Sequence, residues 1–336
     1  MTASPWISIS SASAKRRRST ARSASYMTTL PHRRPCGLTE PPARCRECSS
    51  GSRRPPSAQT VKVGAAGAST MAGMADRPLG AVRRAVVLAA GTGSRLAGWA
   101  DGLPKPAVPL RGRPLAAYTL EALAQSGLEE AYVVLGYGAE TVRRALEGTA
   151  TMPVRFLFNP EYEGPAGSSL AAARTVCGSE PFVLTMADHL LSADLVAALL
   201  ERAREAPPTA CVVAADFHPR SEAYTAEATK LRIAPTPPGT RLLPVTAIGK
   251  GVAPADALDA GAFVCSAAVW EVLDIVGPAC ELSTLFGRLA EQGQLFAADV
   301  SGRFWYDVDT AEDLAEATAL LGPAISAAAP AAGGHP

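Results

Sequence analysis

The sequence lacks any uninterrupted apolar run near the ~18 residues that a membrane-spanning helix needs, which argues against a transmembrane helical protein. Aromatic residues are scarce at 6 % and charged residues sparse at 19 %, while hydrophobic residues reach 48 %, so a core is affordable and a wholly disordered, collagen-like or coiled-coil chain is excluded. Paired cysteine motifs are also missing. Of seven cysteines, Cys36, Cys45 and Cys48 precede the patterned region, and Cys177, Cys211, Cys265 and Cys280 are widely spaced within it. Cys45-Arg-Glu-Cys48 is a lone C-x-x-C and a weak zinc signature, so reduced structural thiols in a cytoplasmic protein are expected.

A large net charge is absent too, at +1, but the balance is uneven. Residues 1–80 hold 13 of the 32 Lys/Arg and three of the 31 Asp/Glu, leaving 19 basic and 28 acidic residues in the remainder. An acidic folded part is a poor general nucleic-acid binder, because such affinity rests on neutralising phosphates. The basic stretch is rich in Ser, Arg, Pro and Ala with no apolar period, so it cannot offset its ordering entropy. It has no 7–15-residue apolar core of a secretory signal. Residues 1–80 therefore read as a disordered basic tail, with Met71 and Met74 marking an alternative start. Residues 323–336 read as a second disordered tail. One domain spans about 82–322.

From residue 84 the chain alternates strand and helix patterns. Strands are expected at Ala85–Ala90, Ala131–Leu135, Val154–Phe158, Phe182–Met186 and Cys211–Ala215. Helices are expected at Leu115–Gln125, Ala139–Leu146, Ser168–Val176 and Ser192–Ala203, the last capped by Ser192. This order predicts an α/β fold, a Rossmann-like mixed and mostly parallel sheet with helices on both faces. The second half is β-rich, with strands at Thr229–Ile233, Leu242–Ile248, Asp259–Val264, Leu295–Val300 and Arg303–Tyr306. Helices near Val269–Ile275, Ser283–Gln292 and Thr310–Leu321 complete it, the last with Thr310 as cap and Asp313 three residues on.

Ligands in such sheets bind beyond the carboxyl ends of strands. The first such end is Leu88-Ala89-Ala90-Gly91-Thr92-Gly93-Ser94-Arg95. Its glycines let main-chain N–H groups form an anion nest, and Arg95 adds a bidentate cation. Pro104-Lys105-Pro106 then fixes a lysine between prolines. The loop is neither a dinucleotide fingerprint, since Leu96 stands where a third glycine belongs, nor a P-loop, and alone it would be a tight turn. Asp188 follows the strand Phe182–Met186, and Asp307 and Asp309 follow the last strand, with one carboxylate able to face the site. Asp188 and Asp309 together suit one Mg²⁺, which takes one or two carboxylates plus substrate phosphates. The rival reading makes Asp309 part of a helix cap.

LAAGTGSRL followed by PKPAVPLRGRPL resembles the opening of the nucleoside triphosphate transferase (sugar-phosphate nucleotidyltransferase) superfamily. FVLTMADH, EATKL, AIGK with DAGAFV, and WYDVDTAED look most like the inositol-1-phosphate cytidylyltransferase group. The resemblance spans about 84–320. It implies the nucleotide-diphospho-sugar transferase type of sheet and the reaction of CTP with myo-inositol 1-phosphate to CDP-inositol and pyrophosphate. It implies that residues 88–95, Lys105, Gly167, Ser168 and Asp188 hold the nucleotide, and that Arg95, Lys105 and Lys250 are catalytic. Lys230, Lys250, Glu227 and Asp259 would meet the acceptor, with Mg²⁺ on Asp188 and Asp309. Ser168 also reads as a plain N-cap and Lys230 as a solvated lysine. Asp216 is a further polar group available to a polyol, and His189 either touches phosphates or packs. Sugar 1-phosphates, phosphocholine and aminoalkylphosphonates are alternative acceptors. A membrane phosphotransferase domain, often fused to this type, is not seen to follow, so the expectation is a stand-alone cytoplasmic enzyme without a membrane span, with a homodimer as one option. A silent nucleotide sensor would be expected to lose Lys105 or a metal acid, and neither is lost.

Overall fold

The apolar runs become strands because each is too short for a helix and closes on glycine or polar turns. The computed structural model describes residues 79–93, 102–219 and 228–321. The expectation for residues 323–336 lies outside these residues, as does that for 1–80 apart from its last two residues, where Leu79 is buried and its N–H donates to Ala206 O at 2.9 Å.

β1 (Arg84–Ala89) leads to the glycine loop. A 3₁₀ turn at Lys105–Ala107 and a small hairpin, β2 (Pro109–Leu110) and β3 (Arg113–Pro114), feed α1 (Leu115–Gln125). β4 (Glu130–Leu135), α2 (Ala139–Glu147), β5 (Val154–Phe158), α3 (Ala166–Ala172), α4 (Arg174–Cys177) and β6 (Phe182–Met186) follow. Next come β7 (His189–Leu191), α5 (Ala193–Ala203) and β8 (Cys211–Asp216). The strand-rich half is β9 (Lys230–Ile233), β10 (Leu242–Gly249) and β11 (Ala257–Cys265). α6 (Ala268–Val276), α7 (Leu282–Glu291), β12 (Leu295–Asp299), β13 (Trp305–Asp307) and α8 (Ala311–Leu320) end the described chain.

The main sheet has nine strands in the order β5-β4-β1-β6-β11-β8-β12-β10-β9. Seven run one way; β10 and β11 run against them. The mixed, mostly parallel sheet is thus as expected. Helices cover both faces. Val87 and Val133 pack with Leu120, Val142 and Leu195 on one side. Val86 and Val134 pack with Leu170, Leu273 and Phe286 on the other. Neighbouring residues of β1 therefore enter different cores, which is why its sequence is continuously apolar rather than alternating. A third, smaller core joins Val108 and Leu110 to Tyr306, Val308 and Leu314, tying the segment after Lys105 to β13 and α8.

The structure amends some local expectations. The helix expected over 168–176 is two short helices broken at Ala173. Ser192 occupies the cap position of α5, but its buried hydroxyl has no hydrogen-bond partner. Thr310 and Asp313 form the reciprocal capping box at α8. Cys177, Cys211, Cys265 and Cys280 are free thiols, all buried. No helix among the described residues is long and apolar enough to cross a membrane.

Candidate active site

Parallel pairing of β1 with β6 brings two strand ends together, and the Ala187 N–H donates to Leu88 O at 3.0 Å. The glycine loop and Asp188 therefore share one sheet edge. Gly93 has φ +57, and a Cβ there would fall 2.6 Å from Lys105 Cβ, so the loop rests directly on the lysine stem. Lys105 is 7 % exposed. Its Nζ donates to Asp188 Oδ2 at 2.7 Å and to Asp309 Oδ1 at 2.8 Å.

Asp309 reaches this point through strand pairing. β13 lies antiparallel to β7 with Asp307 opposite His189, and the Val308 N–H donates to Asp188 O at 3.1 Å. In an extended chain residues two apart share a face, so Asp307 and Asp309 turn the same way, the first toward His189 and the second onto Lys105. The rival reading of Asp309 as the helix cap does not hold: Thr310 is the cap, its Oγ1 accepting the Asp313 N–H at 3.1 Å, while the Asp309 N–H donates to Asp313 Oδ2 at 3.0 Å.

His189 Nδ1 lies 3.1 Å from Asp188 Oδ1 and 3.9 Å from Asp307 Oδ1. Among the described residues, four carboxylates, from Asp188, Asp259, Asp307 and Asp309, thus lie around one lysine and one histidine, an excess of negative charge. Burial would lower the Lys105 amine, but Asp188, Asp307 and Asp309 outweigh it and raise its pKa. Burial would raise Asp188, yet Lys105 and His189 hold it well below the usual range. For His189, burial is overcome by Asp307, Asp188 and Asp259, which push it up to about 9. Burial raises Asp259 and Asp307 to about 6 each, with His189 opposing.

A cleft of about 310 Å³ opens over this centre, lined by Leu88, Ala89, Gly91, Thr92, Gly93, Lys105, Asp188 and Asp309. Ala90 is buried beneath it, its carbonyl accepting the Tyr137 N–H at 3.0 Å. Ser94, Arg95 and Glu227 lie outside the described residues. A second cleft, about 360 Å³, is formed by the loop 160–165 with Ser168 and Ala279. Ser168 is not the N-cap, since Pro165 holds that position; its hydroxyl lies 2.9 Å from Pro165 O and accepts from Asn159 Nδ2 at 3.0 Å. Gly167 lines neither cleft. Its N–H donates to Cys280 O at 2.9 Å, and a Cβ would meet that oxygen at 2.6 Å, so it serves close packing.

Lys230 and Lys250 meet at one end of the β9–β10 pair, where Lys230 Nζ donates to Lys250 O at 3.2 Å. Lys230 pairs with Leu258, and Leu258 with Asp216 at the end of β8, so this pair sits at the same sheet edge as the loop. Neither lysine lines the smaller cleft. Asp259 Oδ1 accepts the Gly261 N–H at 2.8 Å. Asp216 is not open to a polyol: it is buried, and its carboxylate accepts from Trp305 Nε1 and from the His218 N–H, each at 2.9 Å. Asp307 and Gly261 are the parts that sequence reasoning left without a task. The period-two placement of Asp307 and Asp309 was the available signal for the first; nothing local marks the second.

A mixed, mostly parallel sheet with a glycine loop, a buried lysine and two acids at one carboxyl edge defines the nucleotide-diphospho-sugar transferase type of fold. The structure of the inositol-1-phosphate CTP transferase from T. maritima shares it, with a TM-score of 0.64 at 20 % identity, covering 75 % of this chain and 99 % of that one. Residues 85–280 match the MobA-like NTP transferase domain, and the chain belongs to that family of nucleotidyltransferases. It is 36 % identical over 234 residues to a "Bifunctional IPC transferase and DIPP synthase" of Rubrobacter xylanophilus, covering 68 % of this chain and 50 % of that protein. It is 38 % identical over 135 residues to a "CMP-5'-(3-aminopropyl)phosphonate synthase" of Streptomyces rubellomurinus, covering 39 % of this chain and 20 % of that one. The chain thus spans half the length of the first relative and less of the second.

Proposed function

We propose that this chain joins CTP to myo-inositol 1-phosphate, giving CDP-inositol and pyrophosphate with Mg²⁺ as cofactor. The observation that carries the reading is Lys105 held between Asp188 and Asp309 beneath the glycine loop. The similarity to the Rubrobacter and T. maritima proteins supports the acceptor and the base.

In the reaction an oxygen of the acceptor phosphate forms a bond to the α-phosphorus. The bond to the bridging oxygen of the β-phosphate breaks, and pyrophosphate leaves with the electron pair. Two anions must approach, so the protein's task is positioning and charge neutralisation. N–H groups of the Gly91–Gly93 loop face the triphosphate. Lys105, with Arg95, meets the charge that grows on the leaving group, and Lys250 and Lys230 take the acceptor phosphate. That phosphate is already ionised near neutral pH, so no general base is required. The donor set fits Mg²⁺ in kind: Asp188 and Asp309 offer hard carboxylate oxygens at one sheet edge, and because Asp188 Oδ2 and Asp309 Oδ1 already accept from Lys105 Nζ, at 2.7 and 2.8 Å, the ion would share these acids with the lysine. When bound there, the ion would supply Lewis-acid neutralisation of phosphate charge.

A second reading keeps the chemistry and replaces the acceptor with an aminoalkylphosphonate, on the similarity to the Streptomyces protein. The test is a matrix of CTP, UTP, ATP and GTP against inositol 1-phosphate, glucose 1-phosphate, phosphocholine and aminopropylphosphonate, read as pyrophosphate released. The proposal expects the CTP and inositol 1-phosphate pair to exceed all others; fastest turnover with the phosphonate would favour the second reading.

A further inference from the structure

His189 is buried within the centre, yet the proposed reaction gives it no task. Its surroundings are unusually restrictive. The backbone is held by pairing with Asp307 across β7 and β13, and the His189 carbonyl accepts Thr119 Oγ1 at 2.8 Å. The ring lies against the backbone of Gly261, where an added Cβ would stand 1.8 Å from His189 Cδ2. Gly261 also has φ +80, a conformation that side chains other than glycine rarely adopt. Its peptide groups are pinned in turn: the N–H donates to Asp259 Oδ1 and the carbonyl accepts Thr185 Oγ1, both at 2.8 Å.

We propose that His189 is a positioning residue, which fixes the rotation of the Asp188 carboxylate toward Lys105, and that Gly261 is the residue that makes room for it. The terminal torsion of an aspartate is broad, so one anchored oxygen leaves the carboxylate free to turn. Here the two oxygens are divided. Oδ2 accepts from Lys105 at 2.7 Å, and Oδ1 faces His189 Nδ1 at 3.1 Å. With carboxylate oxygens of both Asp188 and Asp307 facing it, Nδ1 is the protonated nitrogen and donates. Outer partners of this kind orient a reacting group without touching substrate, and their loss typically costs about 10–100-fold in activity. The inference rests on the reading that Asp188 and Lys105 form the reaction centre.

The test compares His189→Phe, which keeps a planar, somewhat larger ring without a donor, with His189→Asn, whose amide N–H can replace Nδ1–H. His189→Phe is expected to lower kcat about 10–100-fold with little change in KM for the nucleotide, and His189→Asn to restore most of it. Crystal structures of both variants give a readout independent of turnover: Asp188 Oδ2 should leave Lys105 in the Phe variant and stay in the Asn variant. A Phe variant with unchanged kcat and an unmoved Asp188, or an Asn variant as impaired as the Phe one, overturns the proposal. Should the Phe variant not fold, Gly261→Ala pushes on the same ring. It should lower kcat alone and add little to a His189→Ala background, and full additivity would contradict the idea. Wild-type protein inert toward every substrate pair would refute the proposed reaction, while the Asp188 orientation would still judge His189.

Discussion

Lys105 is the residue on which the account turns. Buried between two carboxylates, it keeps its charge, and charge at that point is useful chiefly when negative charge grows on a leaving pyrophosphate. Lys105→Ala should therefore lower kcat by about 10²–10³-fold, the usual cost of one preorganised donor, with a much smaller effect on nucleotide binding. Steady-state kinetics beside calorimetric titration with CTP measures both; near-normal kcat would remove Lys105 from the mechanism. Much of this residue-level picture was legible. Leu88–Gly93, Asp188 and Asp309 stand at strand ends, which local pattern reveals, and Lys105 is marked by the prolines on either side of it. The packing of Asp216 and Gly167 was not legible because their partners, Trp305 and Cys280, come from distant parts of the chain.

At the scale of elements, the β7–β13 ribbon decides whether the site assembles. It sets Asp307 opposite His189 and delivers Asp309 to Lys105. β7 escaped sequence reading because three residues carry no period, and its pairing is with a strand far along the chain. α8 was legible, boundaries and cap together, because a capping box is written in adjacent residues. Asp309 and Thr310, neighbours at this helix start, should separate cleanly. Thr310→Ala removes a cap and should cost about 0.5–2 kcal/mol of stability while turnover persists. Asp309→Ala should abolish turnover while changing the melting temperature little. Thermal melts and pyrophosphate assays on the same preparations distinguish them; wild-type turnover in Asp309→Ala would show that it has no part in the site.

At the scale of the whole molecule, charge distribution sets two expectations. The first concerns pH. Asp307 and Asp259 titrate near 6 in the folded protein, above their usual 3.8, so their protonated forms favour folding and that contribution is lost as pH rises from about 4 through 6. His189, raised from 6.5 to about 9, contributes below 6.5 and loses its contribution as pH passes 9. Both trends run the same way. In chelator, Asp307→Asn should gain in melting temperature relative to wild type as pH is raised from 4 to 7; a constant difference between the two would contradict the assignment. The second concerns residues 1–73, whose sequence has no apolar period and a charge opposite to the remainder. Their deletion should leave melting temperature and turnover unchanged.

The most direct test of the central claim follows CTP and myo-inositol 1-phosphate with the purified protein by phosphorus NMR. The account expects equal amounts of pyrophosphate and a CDP-linked product, dependent on Mg²⁺ and lost in Lys105→Ala. Pyrophosphate formation that persists undiminished in Lys105→Ala, or none with any nucleotide and acceptor, would contradict it.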